Sequence, residues 1–89
     1  MIQIAYSPAL VRAYKKQIKN QLATQQLFAE MVALFLQNPN HPQLRIHKLK
    51  VILKDFYSFI IDYDLRVISY FASDNEVIFE NTSTHDEVY

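Results

Sequence analysis

Not one glycine occurs in the 89 residues of this chain. Average usage of roughly 7% would place about six. Every turn must therefore be closed by residues that carry a Cβ, and Asn and Asp are the ones that best tolerate positive φ. The same absence excludes P-loops and dinucleotide fingerprints, in which the backbone must approach a phosphate closely. It also removes the glycine-flanked elbow of serine hydrolases, so a Ser-His-Asp triad assembled from the chain's serines is discounted. Cysteine is absent as well. That excludes a disulfide framework, a thiolate metal site and a cysteine nucleophile.

What remains is globular: 51% of the residues are hydrophobic and 20% are charged, a balance at which a chain buries a core rather than staying disordered. The length predicts a single domain over residues 1–89. The most apolar stretch, 27–36, is interrupted by Glu30 and is too short to span a bilayer. The opening Met1-Ile2-Gln3-Ile4 lacks the charged-then-apolar pattern of a secretory leader. A soluble, cytoplasmic protein with no membrane partner is the expectation. Net charge is zero, yet it is divided by sequence. Residues 1–54 hold Arg12, Lys15, Lys16, Lys19, Arg45, Lys48, Lys50 and Lys54 against Glu30 alone. Residues 55–89 hold Arg66 alone against Asp55, Asp62, Asp64, Asp74, Glu76, Glu80, Asp86 and Glu87. Such asymmetry fits a face that binds a polyanion, or two halves whose charges intermix on one surface.

Along the chain the hydrophobic period changes once. Ile2, Ile4 and Tyr6 alternate with polar or small residues, which reads as a short strand. Ser7-Pro8 then has the form of an N-cap followed by proline at the first helical position. Leu10, Tyr14, Ile18 and Leu22 recur every four residues, with Arg12, Lys15, Lys16 and Lys19 mostly on the other face, and the helix should end near Asn20. Thr24 is placed to cap a second helix whose apolar face carries Leu27, Phe28, Met31, Val32, Leu34 and Phe35. Pro39 and Pro42, with Asn38 and Asn40, end it. Beyond residue 45 the period is two: candidate strands cover 45–49, 56–62, 65–72 and 76–80, with turns at 62–64 and 73–75. The order β-α-α-β-β-β-β predicts an α+β fold, a helical hairpin packed on a largely antiparallel sheet.

Few side chains are equipped for chemistry. His41 sits in the proline loop and reads as solvated. His47 belongs to a basic strand that puts Arg45, His47 and Leu49 on one side and Ile46, Lys48 and Lys50 on the other; pattern alone favours an ordinary exposed histidine. His85 follows the last strand beside Thr84, Asp86 and Glu87, suited to proton transfer near neutral pH, or else a tail residue. Joining the three histidines into a zinc site lacks any supporting spacing. Asp64 and Arg66 share parity at the start of a strand, fitting either an edge ion pair or a guanidinium held to bind phosphate. Tyr89, if docked, has a ring that can stack on a nucleobase.

Four segments follow one another in order: His47-Lys48-Leu49, Tyr57-Ser58-Phe59, Asp64-Leu65-Arg66-Val67-Ile68 and Thr84-His85-Asp86-Glu87-Val88-Tyr89. This ordered set resembles the RelE/ParE superfamily of bacterial type II toxins, most closely its YafQ-like branch, whose chains often end in a Gly-Thr-His tail with a terminal aromatic. The resemblance covers nearly the whole chain. It implies a RelE-like fold and a ribosome-dependent mRNA endoribonuclease needing no cofactor or metal. It implies as partners the ribosome, mRNA and a cognate antitoxin, with which the chain would form a hetero-oligomer. By the same resemblance His47, Asp64, Arg66, His85 and Tyr89 form the catalytic set. His85 is then the general acid and His47 or Asp64 the base, with Arg66, Lys48 and Lys50 stabilising developing charge and Tyr89 stacking on a base. Lys48, Lys50, Lys54, Arg12, Lys15, Lys16 and Lys19 contact RNA in this reading. Two alternatives share the fold: a ParE-like toxin that poisons DNA gyrase, and an inactive homologue that only binds antitoxin. The His47, Arg66, His85 and Tyr89 set argues against the gyrase binder. The chain also departs from the family pattern. Ile60 stands near a YafQ-like catalytic histidine, and Val51, Asp55 and Ser83 replace family glycines.

Overall fold

The computed structural model describes residues 2–49 and 55–84. Lys50, Val51, Lys54, His85 and Tyr89 lie outside the described residues. The chain runs β1 (Gln3–Tyr6), α1 (Pro8–Gln17), α2 (Leu22–Gln37), a single 3-10 turn (Pro42–Leu44), β2 (His47–Leu49), β3 (Phe56–Ile60), β4 (Leu65–Ser73) and β5 (Glu76–Thr84). The five strands form one sheet in the order β1-β5-β4-β3-β2. Every neighbour pair is antiparallel except β1 with β5, which is parallel. The predicted α+β architecture is the observed one.

The helical hairpin covers one face of the sheet. Leu10, Ile18, Phe28 and Phe35 are buried, and Tyr14, Leu27 and Met31 pack against them, as their spacing predicts. Phe35 is the hub: its ring lies 5.2 Å from Phe59 and 5.5 Å from Phe79, centroid to centroid. Cross-strand partners share a face, so the register continues this apolar surface through Ile4, Val67, Val77 and Phe79. Ser7 caps α1 as expected, its Oγ accepting from the Leu10 N–H at 3.0 Å. The same hydroxyl donates to the Glu80 carbonyl, 73 residues away.

Several boundaries differ from the sequence reading, each for a local reason. Helix α1 stops at Gln17, because the N–H groups of Ile18 and Lys19 both turn back to the Tyr14 carbonyl. The turn is closed by the Gln21 N–H on the Ile18 carbonyl, so α2 starts at Leu22. Thr24 therefore lies inside the first turn, where its hydroxyl donates to Gln21 Oε1 instead of capping the helix. Arg45 is not in a strand. It has φ 49° and ψ 51°, and closes the 3-10 turn by donating its N–H to the Pro42 carbonyl. Among the described residues it alone has positive φ; the Asn and Asp turns at 62–64 and 73–75 close without it. His41, expected to be solvated, is half-buried, and its Nδ1 accepts from the Gln43 N–H.

Strand β5 runs four residues past its apolar pattern, to Thr84. Ile68 pairs with Asn81 whereas Ser69 pairs with Phe79, so Glu80 is an extra, bulged residue. The bulge reverses the alternation. Val77 and Phe79 face the helices, but beyond Glu80 it is Thr82 that does so, its hydroxyl donating to Gln17 Oε1 of α1.

Three outcomes follow for stability. Phe35→Ala should cost about 3–5 kcal/mol, since a fully buried aromatic is removed from the centre of the core. Ser7→Ala should cost about 0.5–2 kcal/mol through removal of the cap. Urea titration should show both as lowered midpoints with unchanged slope. Desolvation, and secondarily the neighbouring Tyr14, raise the Tyr6 phenol above its ordinary pKa of 10.0. The folded chain thus holds that proton more tightly than the unfolded one. Below pH 10 the phenol is neutral in both states, and stability is lost as pH rises from there through the folded-state value, because the unfolded chain ionises first. Tyr6→Phe should flatten the alkaline fall in stability measured above pH 10 and leave neutral stability nearly unchanged.

Candidate active site

The face of the sheet turned away from the helices carries His47, Ser58, Arg66, Asn81 and Ser83. One cross-strand row reads His47, Ser58, Ile68 and Asn81 from β2 to β5. The next reads Ile60, Arg66 and Ser83. Ser58, Arg66 and Ser83 are buried, while His47 is exposed on the edge strand. His47 and Arg66 thus share one surface, two strands apart, or about 10 Å between backbones. Phe56 and Tyr70 meet edge to face on the same side, 5.5 Å between centroids.

Arg66 is held by the loop between β3 and β4. Its Nη1 donates to the carbonyls of Asp62 at 2.7 Å and Tyr63 at 2.9 Å, with the Leu65 carbonyl at 3.5 Å. The loop is closed by Asp62, whose Oδ1 accepts from the N–H groups of Asp64 and Leu65 at 3.0 and 2.9 Å. Carbonyl dipoles thus offset a charge that is costly to bury. An ion pair between Asp64 and Arg66, one of the two sequence readings, is not formed: Asp64 is exposed in the loop ahead of β4, and Arg66 leans on backbone carbonyls instead.

Other predicted residues fall elsewhere. Lys48 pairs with Tyr57 and so faces the opposite side from His47, as alternation requires. Its ammonium lies 3.4 Å from Asp55 in an exposed ion pair. Arg12, Lys15, Lys16 and Lys19 are all exposed, on or just beyond α1. Lys15 and Lys16 occupy its last turn, where a cation also complements the helix dipole. Among the described residues no three His, Asp or Glu side chains converge as metal ligands. Ser58, Asn81 and Ser83 were given no role in the site from the sequence. The first was reachable, since it opposes His47 once the strands are paired. The other two were not, because the bulge at Glu80 decides which face they take.

No helix among the described residues is long and apolar enough to cross a membrane. No family model matches the chain, and no curated protein does. Solved structures do. YafQ from E. coli superposes with a TM-score of 0.71 at 19% identity, over 100% of this chain and 99% of that one. A metal-bound toxin from Helicobacter pylori gives 0.75 at 24%, over the whole of both chains. The heterotetrameric YoeB–YefM toxin–antitoxin complex from Staphylococcus aureus gives 0.75 at 22%, over 96% of this chain and 98% of that one. At these identities the likeness is one of fold, and it agrees with the ordered segments read from the sequence. The chain has the fold of these toxins.

Proposed function

We propose that this protein is the toxin of a toxin–antitoxin pair and acts as a ribosome-dependent mRNA endoribonuclease in the cytoplasm, with a cognate antitoxin as its partner. The observation that carries the reading is the helix-free face, on which His47 and a buried, carbonyl-held Arg66 share one surface. A gyrase binder has no need of such a pair. The toxin–antitoxin complex among the structures of this fold supports the antitoxin partner.

The reaction follows from these groups. The ribose 2′-hydroxyl loses its proton to a base, and its oxygen attacks the adjacent phosphorus. The bond to the 5′-oxygen breaks, and an acid protonates that leaving oxygen, giving a 2′,3′-cyclic phosphate and a free 5′-hydroxyl. His47 or Asp64 serves as base. His85 serves as acid, and Tyr89 stacks on a base. Arg66 stabilises charge on the equatorial oxygens, a task suited to a planar, preoriented guanidinium. Lys48, held on the other side of β2, serves RNA contact together with Lys50, Lys54, Arg12, Lys15, Lys16 and Lys19.

Expression without antitoxin should arrest growth and cut ribosome-bound mRNA. His85→Gln and Arg66→Ala should each lower the cleavage rate by about 10²–10⁴-fold and relieve the arrest. Intact mRNA together with a DNA-damage response would instead identify a gyrase poison; intact mRNA without that response would identify an inactive homologue. Charge reversal at Lys15 and Lys16 should weaken ribosome association and lower its salt slope by about one for each phosphate that is no longer neutralised. Association unchanged in low salt would leave α1 as a solvated surface.

A further inference from the structure

The loop that holds Arg66 is built in two tiers, and the outer tier is one side chain. Asp62 Oδ1 takes two backbone N–H groups, from Asp64 and Leu65. The N–H groups of Ile61 and Asp62 close on the Leu65 carbonyl at 2.9 and 3.3 Å. These four bonds fix the reversal between β3 and β4 without a glycine. They also aim the carbonyls of Asp62 and Tyr63 at Nη1 of Arg66. Arg66 is 8% exposed, whereas Tyr63, whose carbonyl it uses, is 85% exposed. The guanidinium therefore bonds to the backbone of a surface loop, and the geometry of that backbone is what Asp62 sets.

The geometry points to Asp62 as a positioning residue for Arg66: its carboxylate locks the turn whose carbonyls orient the guanidinium toward the scissile phosphate. The inference rests on the nuclease reading above and adds to it a residue that does not itself touch RNA. A short polar side chain that accepts from the N–H groups two and three residues on closes an Asx turn, and it needs an acceptor oxygen rather than a charge. Asn supplies that oxygen; Ala does not. A guanidinium misplaced by about 1 Å from the transition-state charge can lose about 10²-fold in rate.

The test is a mutant cycle on mRNA cleavage by the toxin at the ribosome, with melting temperature measured alongside. Asp62→Ala should lower kcat by about 10²-fold with little change in KM, and Asp62→Asn should retain most of the wild-type rate. In an Arg66→Ala background Asp62→Ala should have no further effect, because the residue it positions is gone. A second readout needs no activity. Rotation about the Cζ–Nη bonds of Arg66, followed by nitrogen NMR, should be slow in the wild type and in Asp62→Asn, and fast in Asp62→Ala. If Asp62→Ala cleaves at the wild-type rate while Arg66→Ala is crippled, the positioning role is wrong and the nuclease reading stands. If Asp62→Ala still costs the same factor in the Arg66→Ala background, Asp62 acts through stability or another group, and the inference falls. If Arg66→Ala cleaves normally, it is the assignment of Arg66 in the nuclease reading that fails, and the NMR comparison alone then decides whether Asp62 orders the guanidinium.

Discussion

A strand alternates with a period of two, so a β5 that buries Val77 and Phe79 under the helices would, if regular, bury Ser83 there as well. The bulge at Glu80 removes that obligation. It leaves Val77 and Phe79 in the core, hands the next helix-facing position to Thr82, and delivers Ser83 to the row that holds Arg66. The same extra residue presents its carbonyl to Ser7, the N-cap of α1. The helix layer and the polar face are thus adjusted against each other at a single backbone irregularity. Bulges beside functional sites commonly re-aim a side chain in this way.

Around that adjustment the core is small and aromatic. Phe35, Phe59 and Phe79 are fully buried and in mutual contact, and they anchor the second helix to the middle of the sheet. A domain of this size has little stability to spare. The polar face consequently leans on the backbone for its geometry. Arg66 is held by loop carbonyls, and Ser83 Oγ bonds to the Thr84 carbonyl at 3.0 Å.

Much of this was legible in the sequence. The four-residue recurrence of Leu10, Tyr14, Ile18 and Leu22 identified the buried stripe of α1 as far as its C-cap Ile18, and Ser7-Pro8 marked its start; Leu22 falls outside the stripe, exposed at the first position of α2. Alternation put His47 and Lys48 on opposite sides of β2. The Asp62 turn was readable from its Asp-Tyr-Asp composition. The failures share a cause: they occur where a backbone hydrogen bond outweighs a side-chain preference. Thr24 has the right chemistry for a cap, yet the turn at Ile18 starts the helix earlier. Arg45 fits a basic strand by composition, yet it closes a 3-10 turn in a conformation that few residues with a Cβ adopt. Asn81, Thr82, Ser83 and Thr84 carry no apolar signal, so the ladder to β4 that holds them in β5 left no trace in hydropathy. Of the candidate site, His47 and Arg66 were named from a family resemblance, whereas their common face required the register.

The pairing of β1 with β5 bears on when the molecule becomes complete. The first strand has its sheet neighbour at residues 76–79, so both helices and the other strands must be synthesised before it can dock. Hairpins formed by neighbouring strands close early and locally, whereas this parallel contact closes a long loop and comes late. Ser83 and the hydrogen bond that the Ser7 hydroxyl donates to the Glu80 carbonyl arrive with it. A nascent chain that has not yet produced β5 can hold Arg66 in its loop but lacks the strand beside it. For a protein whose proposed target is the translating ribosome, that order of assembly keeps the polar face unfinished until β5 has itself been translated.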